Sequence, residues 1–304
     1  MVLDGIHERS ARNNAYHAVA RQPEKNRKNE EVPESDSLGQ GKVNDHDIAS
    51  AFGRADYSLI VPLYDRALVA QAAPELFQDS AAETFIRQFA VTKPKKEADG
   101  QSYLRAFAHY HYVKTAEAYL RRHARTCVVD LGCGMDTLFY QLDDMKLRWI
   151  NIDFEETLRL RRSVGFDQEG SVEHIAGDPS DTAWFCNVGL SADEGLIVVV
   201  DEQVERWTAR AVKELVVGMR EHYPGSLLML SCSGGRGARD IKGFHLHDLN
   251  AKSVFRSWLD DTTTRVYETV RIPQEILRHI QEPARKDVKR RFLKGKQILV
   301  DIEY

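Results

Sequence analysis

A doubly wound, mostly parallel α/β sheet is the architecture the sequence predicts, and three observations predict it. From residue 126 onward, short apolar runs alternate with amphipathic stretches of helical period, the pattern of a parallel sheet wound by crossover helices. Four of those runs end in acids, at Asp130, Asp153, Asp178 and Glu202. The first breaks at once into Gly132-Cys133-Gly134 and then into a helix pattern. A buried parallel strand delivers a ligand-binding turn at its carboxyl end in this way.

The elements follow in order. Residues 1–45 are polar and charge-mixed, as in Arg21 to Glu31, with a Ser/Gly/Asp-rich stretch from Pro33 to Gly41. So little of this can be buried that a mobile arm is expected. Residues 46–125 read as a helical lid or cap. Asp45 to about Gln88 carries helical apolar spacing, from Ile48 to Leu68 above all, punctuated by Pro62 and Pro74; 93–100 reads as an exposed loop, and 104–123 as a helix with Phe107, Val113, Ala116 and Leu120 on one face. Residues 126–304 form the sheet domain. Its seven predicted strands are 126–131, 147–153, 172–176, 196–200, 226–231, 264–272 and 297–304. The last of them needs no further crossover, so it can insert antiparallel. Asp136 or Thr137 is placed to cap the helix after the first strand.

The bulk composition narrows the function classes. A chain of 304 residues with a formal charge of −4 and a pI near 6.3 shows no footprint for nucleic acid or an anionic membrane. No apolar run approaches the ~20 residues of a membrane span, and the first residues lack a secretory pattern. The four cysteines (127, 133, 186 and 232) have no metal-ligand spacing and read as reduced thiols. A cytoplasmic protein without metal is expected.

The strand-end acids specify the ligand. Asp153 sits where a carboxylate accepts hydrogen bonds from both ribose hydroxyls. Gly177-Asp178 ends the third strand, where a side chain reaches an adenine amino group. Asp130, before the first glycine, suits an ammonium rather than a pyrophosphate, and Thr137 stands where the dinucleotide fingerprint has its third glycine. Ribose, adenine and amino-acid handles together describe S-adenosylmethionine, with S-adenosylhomocysteine as product, and so a Rossmann-like class I methyltransferase.

Val129 to Leu142, containing Gly132-Cys133-Gly134-Met135-Asp136-Thr137, resembles the Gly-x-Gly-x-Asp-Thr signature of the leucine carboxyl methyltransferase family. That family includes phosphatase-2A carboxyl methyltransferases and bacterial polyketide O-methyltransferases of the tetracenomycin type. The likeness spans about residues 57–235, taking in Pro74 to Ala82, the acidic strand end and basic helix of Asn151 to Arg162, and the strand ends at Gly177 and Val200. It implies that Gly132 and Gly134 line the methionine part of the cofactor, Asp153 binds ribose with Phe154 beside adenine, and Asp178 faces the adenine edge. It also implies Glu202 under the methionine portion and Arg105 on the cofactor carboxylate. The chain departs from the family after Glu202, reading Gln203-Val204-Glu205-Arg206-Trp207, which puts the acceptor side in question.

A carboxylate acceptor is ionised at neutral pH and needs no base, whereas a hydroxyl acceptor does. His109, His111 and Tyr112 are the candidates. The two histidines, two residues apart on a helix, face different sides, so at most one enters the site; the commoner role of each is a surface or core histidine. His245-x-His247-Asp248 lacks a third metal ligand, and Ser231 to Gly237 lacks the Gly-Lys-Ser/Thr ending of a phosphate loop. The reading is an O-methyltransferase acting on a carboxylate or hydroxyl of a small, natural-product-like acceptor. Its alternatives are a protein C-terminal carboxyl methyltransferase, a non-catalytic cofactor-binding partner or regulatory subunit, and a nicotinamide dehydrogenase. The sequence leaves the oligomeric state open.

Overall fold

The computed structural model describes residues 57–88, 97–142, 147–167, 172–191, 193–259 and 263–304. The expected arm, residues 1–45, and the first four residues of the expected 93–100 loop lie outside them. The strands are β1 (Thr126–Leu131), β2 (Arg148–Asp153), β3 (Glu173–Ala176), β4 (Gly195–Val200), β5 (Leu227–Cys232), β6 (Arg265–Thr269) and β7 (Ile298–Glu303). They form one sheet in the order β3-β2-β1-β4-β5-β7-β6. β1 pairs in parallel with β2 and β4, and the parallel ladder continues to β3 and β5. The C-terminal β7 inserts antiparallel between β5 and β6. Winding proceeds outward from β1 towards β3 and, in the other direction, from β4 towards β5. The carboxyl ends of β1 and β4 therefore flank the topological switch point, where such sheets bind ligands.

Helices cover both faces, as a parallel sheet with apolar residues on both sides requires. In chain order they are α1 (Tyr57–Ala72), α2 (Ser80–Gln88), α3 (Gly100–Leu120), α4 (Leu138–Gln141), α5 (Glu155–Ser163), α6 (Ala209–His222), α7 (Ala251–Leu259), α8 (Gln274–His279) and α9 (Ala284–Leu293). One face packs Val129, Val198, Leu228 and Val300 against α6 and α7 through Leu215, Met219 and Phe255. The other packs Val128, Ile197, Met229 and Leu299 against α3 and α9 through Leu104, Tyr112, Ala116 and Phe292. A third cluster joins Leu63 and Ala67 of α1 and Phe85 of α2 to Met135, Leu160 and Phe166. The α1–α2 pair is thereby seated over the turn that follows β1.

Three local differences from the sequence expectations have physical reasons. α3 begins at Gly100 rather than 104, because Asp99 caps it: its Oδ1 accepts the Gln101 and Ser102 N–H groups at 3.0 Å, and Ser102 Oγ accepts the Asp99 N–H at 3.2 Å. Pro62 lies inside α1 instead of breaking it. Buried Leu63, Tyr64 and Ala67 on the same helix supply the packing that outweighs its missing N–H. The helix after β1 is a single turn, Leu138–Gln141. Thr137 occupies its N-cap position without a side-chain cap, while Asp136 Oδ1 accepts the Leu138 N–H at 2.5 Å.

Candidate functional site

The turn after β1 sets the site. Gly132 and Gly134 have φ of 71° and 45°, in the left-handed region open chiefly to glycine. A Cβ on Gly132 would stand 2.7 Å from Gln203 Cγ, so the turn also packs closely against the segment after β4. Arg161 of α5 holds the turn from beneath. Its Nη1 donates to the carbonyls of Gly134 at 2.8 Å and Asp136 at 3.1 Å. Its other nitrogens grip Asp167 at 2.6 and 2.7 Å. Both partners of that pair are 1% exposed. The Asp167 carboxyl, despite burial, is lowered to about 2 by His174 and Arg161.

Asp153 closes β2 on the other side of the turn. Its Oδ2 accepts the Gly134 N–H at 2.9 Å and its Oδ1 the Phe154 N–H at 2.8 Å. Burial pushes its carboxyl up, against the pull of those amides. Phe154 beside it is 52% exposed, a large ring left bare at a strand end. The Gly177 N–H donates to the Asp153 carbonyl at 3.0 Å, so the end of β3 borders the same place. Asp178 is exposed, and its Oδ1 accepts from the Ser180 N–H and hydroxyl at 2.9 and 2.8 Å, an Asx turn.

A group of acids lies at the ends of β1 and β4. Asp130 is 6% exposed; its backbone lies in the β1 ladders, while its carboxyl makes no hydrogen bond to a described residue. Its carboxyl is raised well above the usual range by burial and by Asp136, with Arg161 opposing. Asp201 accepts the Tyr112 hydroxyl at 3.1 Å and is pushed up to about 7 by burial, then by Glu202 and Asp136. Asp136 runs the other way. Burial opposes ionisation, but His109 and Arg66 hold its carboxyl far below the usual value. Glu202 accepts from Arg105 Nη2 at 3.1 Å and from Gln101 at 3.3 Å. Arg105 also bridges to Asp65 of α1; a cofactor carboxylate at Arg105 would have to compete with these two acids.

The candidate bases separate. His109 is buried, with Nε2 3.1 Å from Asp136 Oδ1 and Nδ1 without a partner among the described residues. His111 faces Asp301 of β7 at 2.8 Å, in mid-sheet. Tyr112 is a donor to Asp201, and its phenol is pushed well up by burial and by that acid. His245 and His247 have ring centroids 6.0 Å apart, and no group of three metal-type ligands occurs among the described residues.

Sequence reasoning singled out neither Arg66 nor Asp79 nor Asp201, and it saw Arg161 only as part of a basic helix. Arg66 of α1 is buried and donates to Asp79 Oδ2 at 3.1 Å and to Thr137 Oγ1 at 3.2 Å. The Thr137 hydroxyl donates to Asp79 Oδ2 at 2.7 Å, and Asp79 Oδ1 accepts the Ala82 N–H at 2.9 Å. Thus the Pro74 to Ala82 segment and the Asp136-Thr137 ending are two halves of one buried lock. Its signal was the pairing of those two motifs, 58 residues apart. Thr137→Val keeps the shape but takes one hydrogen bond from Arg66 and one from Asp79. It is expected to cost about 1–3 kcal/mol, read as a shift of the urea midpoint; an unchanged midpoint would discount the lock.

The order β3-β2-β1-β4-β5-β7-β6 with a glycine turn and acids at its switch point defines the class I methyltransferase fold. Residues 60–210 match the leucine carboxyl methyltransferase family, and the chain belongs to that family of S-adenosylmethionine-dependent methyltransferases. Among solved structures, a protein of Thermobifida fusca YX provisionally named a methyltransferase aligns at 12% identity, covering 83% of this chain and 98% of its own, with a TM-score of 0.50. An O-methyltransferase family protein from Burkholderia thailandensis aligns at 17% identity over 83% and 73% of the two chains, with a TM-score of 0.43. A DUF574 family protein from Streptomyces avermitilis MA-4680 gives 14% identity over 83% and 99%, with a TM-score of 0.47. No curated sequence matches the chain. No helix among the described residues is long and apolar enough to cross a membrane.

Proposed function

We propose that the chain is an O-methyltransferase that binds S-adenosylmethionine at the carboxyl edge of β1, β2, β3 and β4 and methylates a carboxylate or hydroxyl of a small, natural-product-like acceptor. The observation that carries the reading is the glycine turn that Asp153 grips, flanked by the Asp130 carboxyl, which is 6% exposed and raised well above the usual range by burial and by Asp136. A ligand ammonium placed there favours the ionised form of that carboxyl. In this reading Asp153 takes the ribose hydroxyls, bare Phe154 stacks on the adenine, and Gly177 and Asp178 border its edge. Gly132 and Gly134 line the methionine portion, and Glu202 and Arg105 bound its far end. The cofactor supplies an electrophilic methyl on a good leaving group, so the protein's work is alignment and exclusion of water.

A carboxylate acceptor needs no proton removed. A hydroxyl acceptor does, and His109 is placed for that: Asp136 fixes one ring nitrogen and leaves the buried Nδ1 as acceptor. His111 and Tyr112 are committed to Asp301 and Asp201. The departure after Glu202 is absorbed by packing, since Val204 and Trp207 turn into the core. α1 and α2, seated over the turn, serve as a lid.

The test is calorimetric titration with S-adenosylhomocysteine, with Asp153→Ala alongside. The loss of a charged acceptor for two hydroxyls predicts at least about tenfold weaker binding by the variant. No binding by the parent protein, or equal binding by both, would sink the reading. Methyl transfer to a panel of acids and phenols, with His109→Gln, then separates the acceptors: the variant loses phenol methylation and keeps carboxylate methylation.

A further inference from the structure

α3 presents one stripe of side chains to the acids at the strand ends. Arg105, His109 and Tyr112 stand at i, i+4 and i+7 of that helix, which is a single face. Each meets a different acid. Arg105 Nη2 reaches Glu202 at 3.1 Å, His109 Nε2 lies 3.1 Å from Asp136, and the Tyr112 hydroxyl donates to Asp201 Oδ1 at 3.1 Å. The first two contacts bear on the methionine end of the cofactor and on a hydroxyl acceptor; the third serves neither. Tyr112 is 1% exposed, so no ligand touches it, and whatever it does passes through Asp201.

Asp201 is placed to meet a ligand. Val128 of β1 and Val199 of β4 pack on the face of the sheet that α3 covers. Side chains alternate along a strand, so Asp130 and Asp201, each two residues further on, turn to that same side at the carboxyl edge. The two acids lie in each other's field. Asp201, unlike Tyr112, is only partly buried.

Several charges face the Asp201 carboxyl. After burial, Glu202 beside it and Asp136 of the glycine turn push it up, while Arg66 of α1 and His109 of α3 pull it down. Arg105 is already held by Glu202 and Asp65. The one hydrogen bond that the Asp201 carboxyl makes to a described residue comes from Tyr112. A donor aimed at a carboxylate favours its ionised form and fixes its orientation. The phenol, pushed well up by burial and by that acid, stays a donor through neutral pH.

We propose that Tyr112 is a positioning residue for methyl transfer: it fixes the Asp201 carboxylate at the end of β4 as a second counter-charge, beside Asp130, for the ammonium of the cofactor. The assignment rests on the S-adenosylmethionine reading of this edge. Tyr112 itself touches neither cofactor nor acceptor.

Tyr112→Phe keeps the ring and removes the donor. Carboxyl carbon NMR of the ligand-free full chain, with Asp201 assigned through Asp201→Asn, should show its midpoint moving up by about one pH unit. In calorimetry the variant should bind S-adenosylhomocysteine about fivefold more weakly than the parent near pH 7, and equally well by about pH 9, where Asp201 is ionised in both. In an Asp201→Asn background, Tyr112→Phe should change neither the affinity nor its pH dependence. An unmoved Asp201 midpoint, a loss of affinity equal at both pH values, as a packing defect would give, or an effect that survives in the Asp201→Asn background would each overturn the assignment. Failure of S-adenosylhomocysteine to bind the parent at any pH falls on the cofactor reading itself and takes the role of Asp201 with it. Binding with the same pH profile in parent and variant overturns the assignment of Tyr112 alone.

Discussion

Arg161→Met is expected to lower the stability of the fold by about 3–5 kcal/mol, because it leaves Asp167 buried and without its cation. Both side chains are 1% exposed, so solvent cannot replace the lost partner. Asn151 Nδ2 at 3.0 Å and His174 Nε2 at 3.2 Å remain, and neither is a permanent charge. The same arginine donates to the Gly134 and Asp136 carbonyls, so the glycine turn loses its support and ligand binding should fall with stability. Adding Asp167→Asn to Arg161→Met removes the stranded charge and should recover part of the loss in urea denaturation. If the double variant is no more stable than Arg161→Met alone, the stranded carboxylate is not the cause. The depressed Asp167 carboxyl adds a pH signature. Its stabilisation is complete above about 3.8 and is lost as pH falls through about 2.

Arg161 also shows where sequence reading reaches and where it stops. The sheet was legible because parallel strands buried on both faces are continuous apolar runs, and Cys127 to Leu131 or Leu196 to Val200 cannot be taken for a solvated element. The antiparallel insertion of β7, which the sequence allowed without requiring, is set by its ladders with β5 and β6. Pro62 and the start of α3 were misjudged, because core packing and a two-way cap at Asp99 outweigh local propensity there. The strand-end acids were visible one by one as residues. What each does depends on neighbours brought from far along the chain. Arg66 reaches Thr137 across 71 residues, and Tyr112 reaches Asp201 across 89. No periodicity encodes such pairs. Hence His109 and His111 look alike in sequence, yet one meets Asp136 and the other Asp301.

Binding of S-adenosylhomocysteine is expected to release protons near neutral pH and to weaken by about tenfold between pH 8 and pH 6. Burial and neighbouring acids raise the carboxyls of Asp130 and Asp201, the latter to about 7. In the ligand-free protein Asp201 contributes stability fully present below about 3.8 and lost as pH rises through about 7; the raised carboxyl of Asp130 acts in the same direction. A ligand ammonium reverses the balance, since it favours the ionised carboxylates and expels their protons. Calorimetry in buffers of different ionisation enthalpy reads the released protons directly, and Asp201→Asn should abolish most of the release. Buffer-independent heats between pH 6 and 8, with unchanged affinity, would mean that the ligand's charge is not placed at these acids. Asp130 and Asp201 would then be a destabilising feature in need of another purpose. Raised carboxyls that cost the empty protein stability at neutral pH are what a preorganised cation site requires, because the ligand regains on binding what folding gave up.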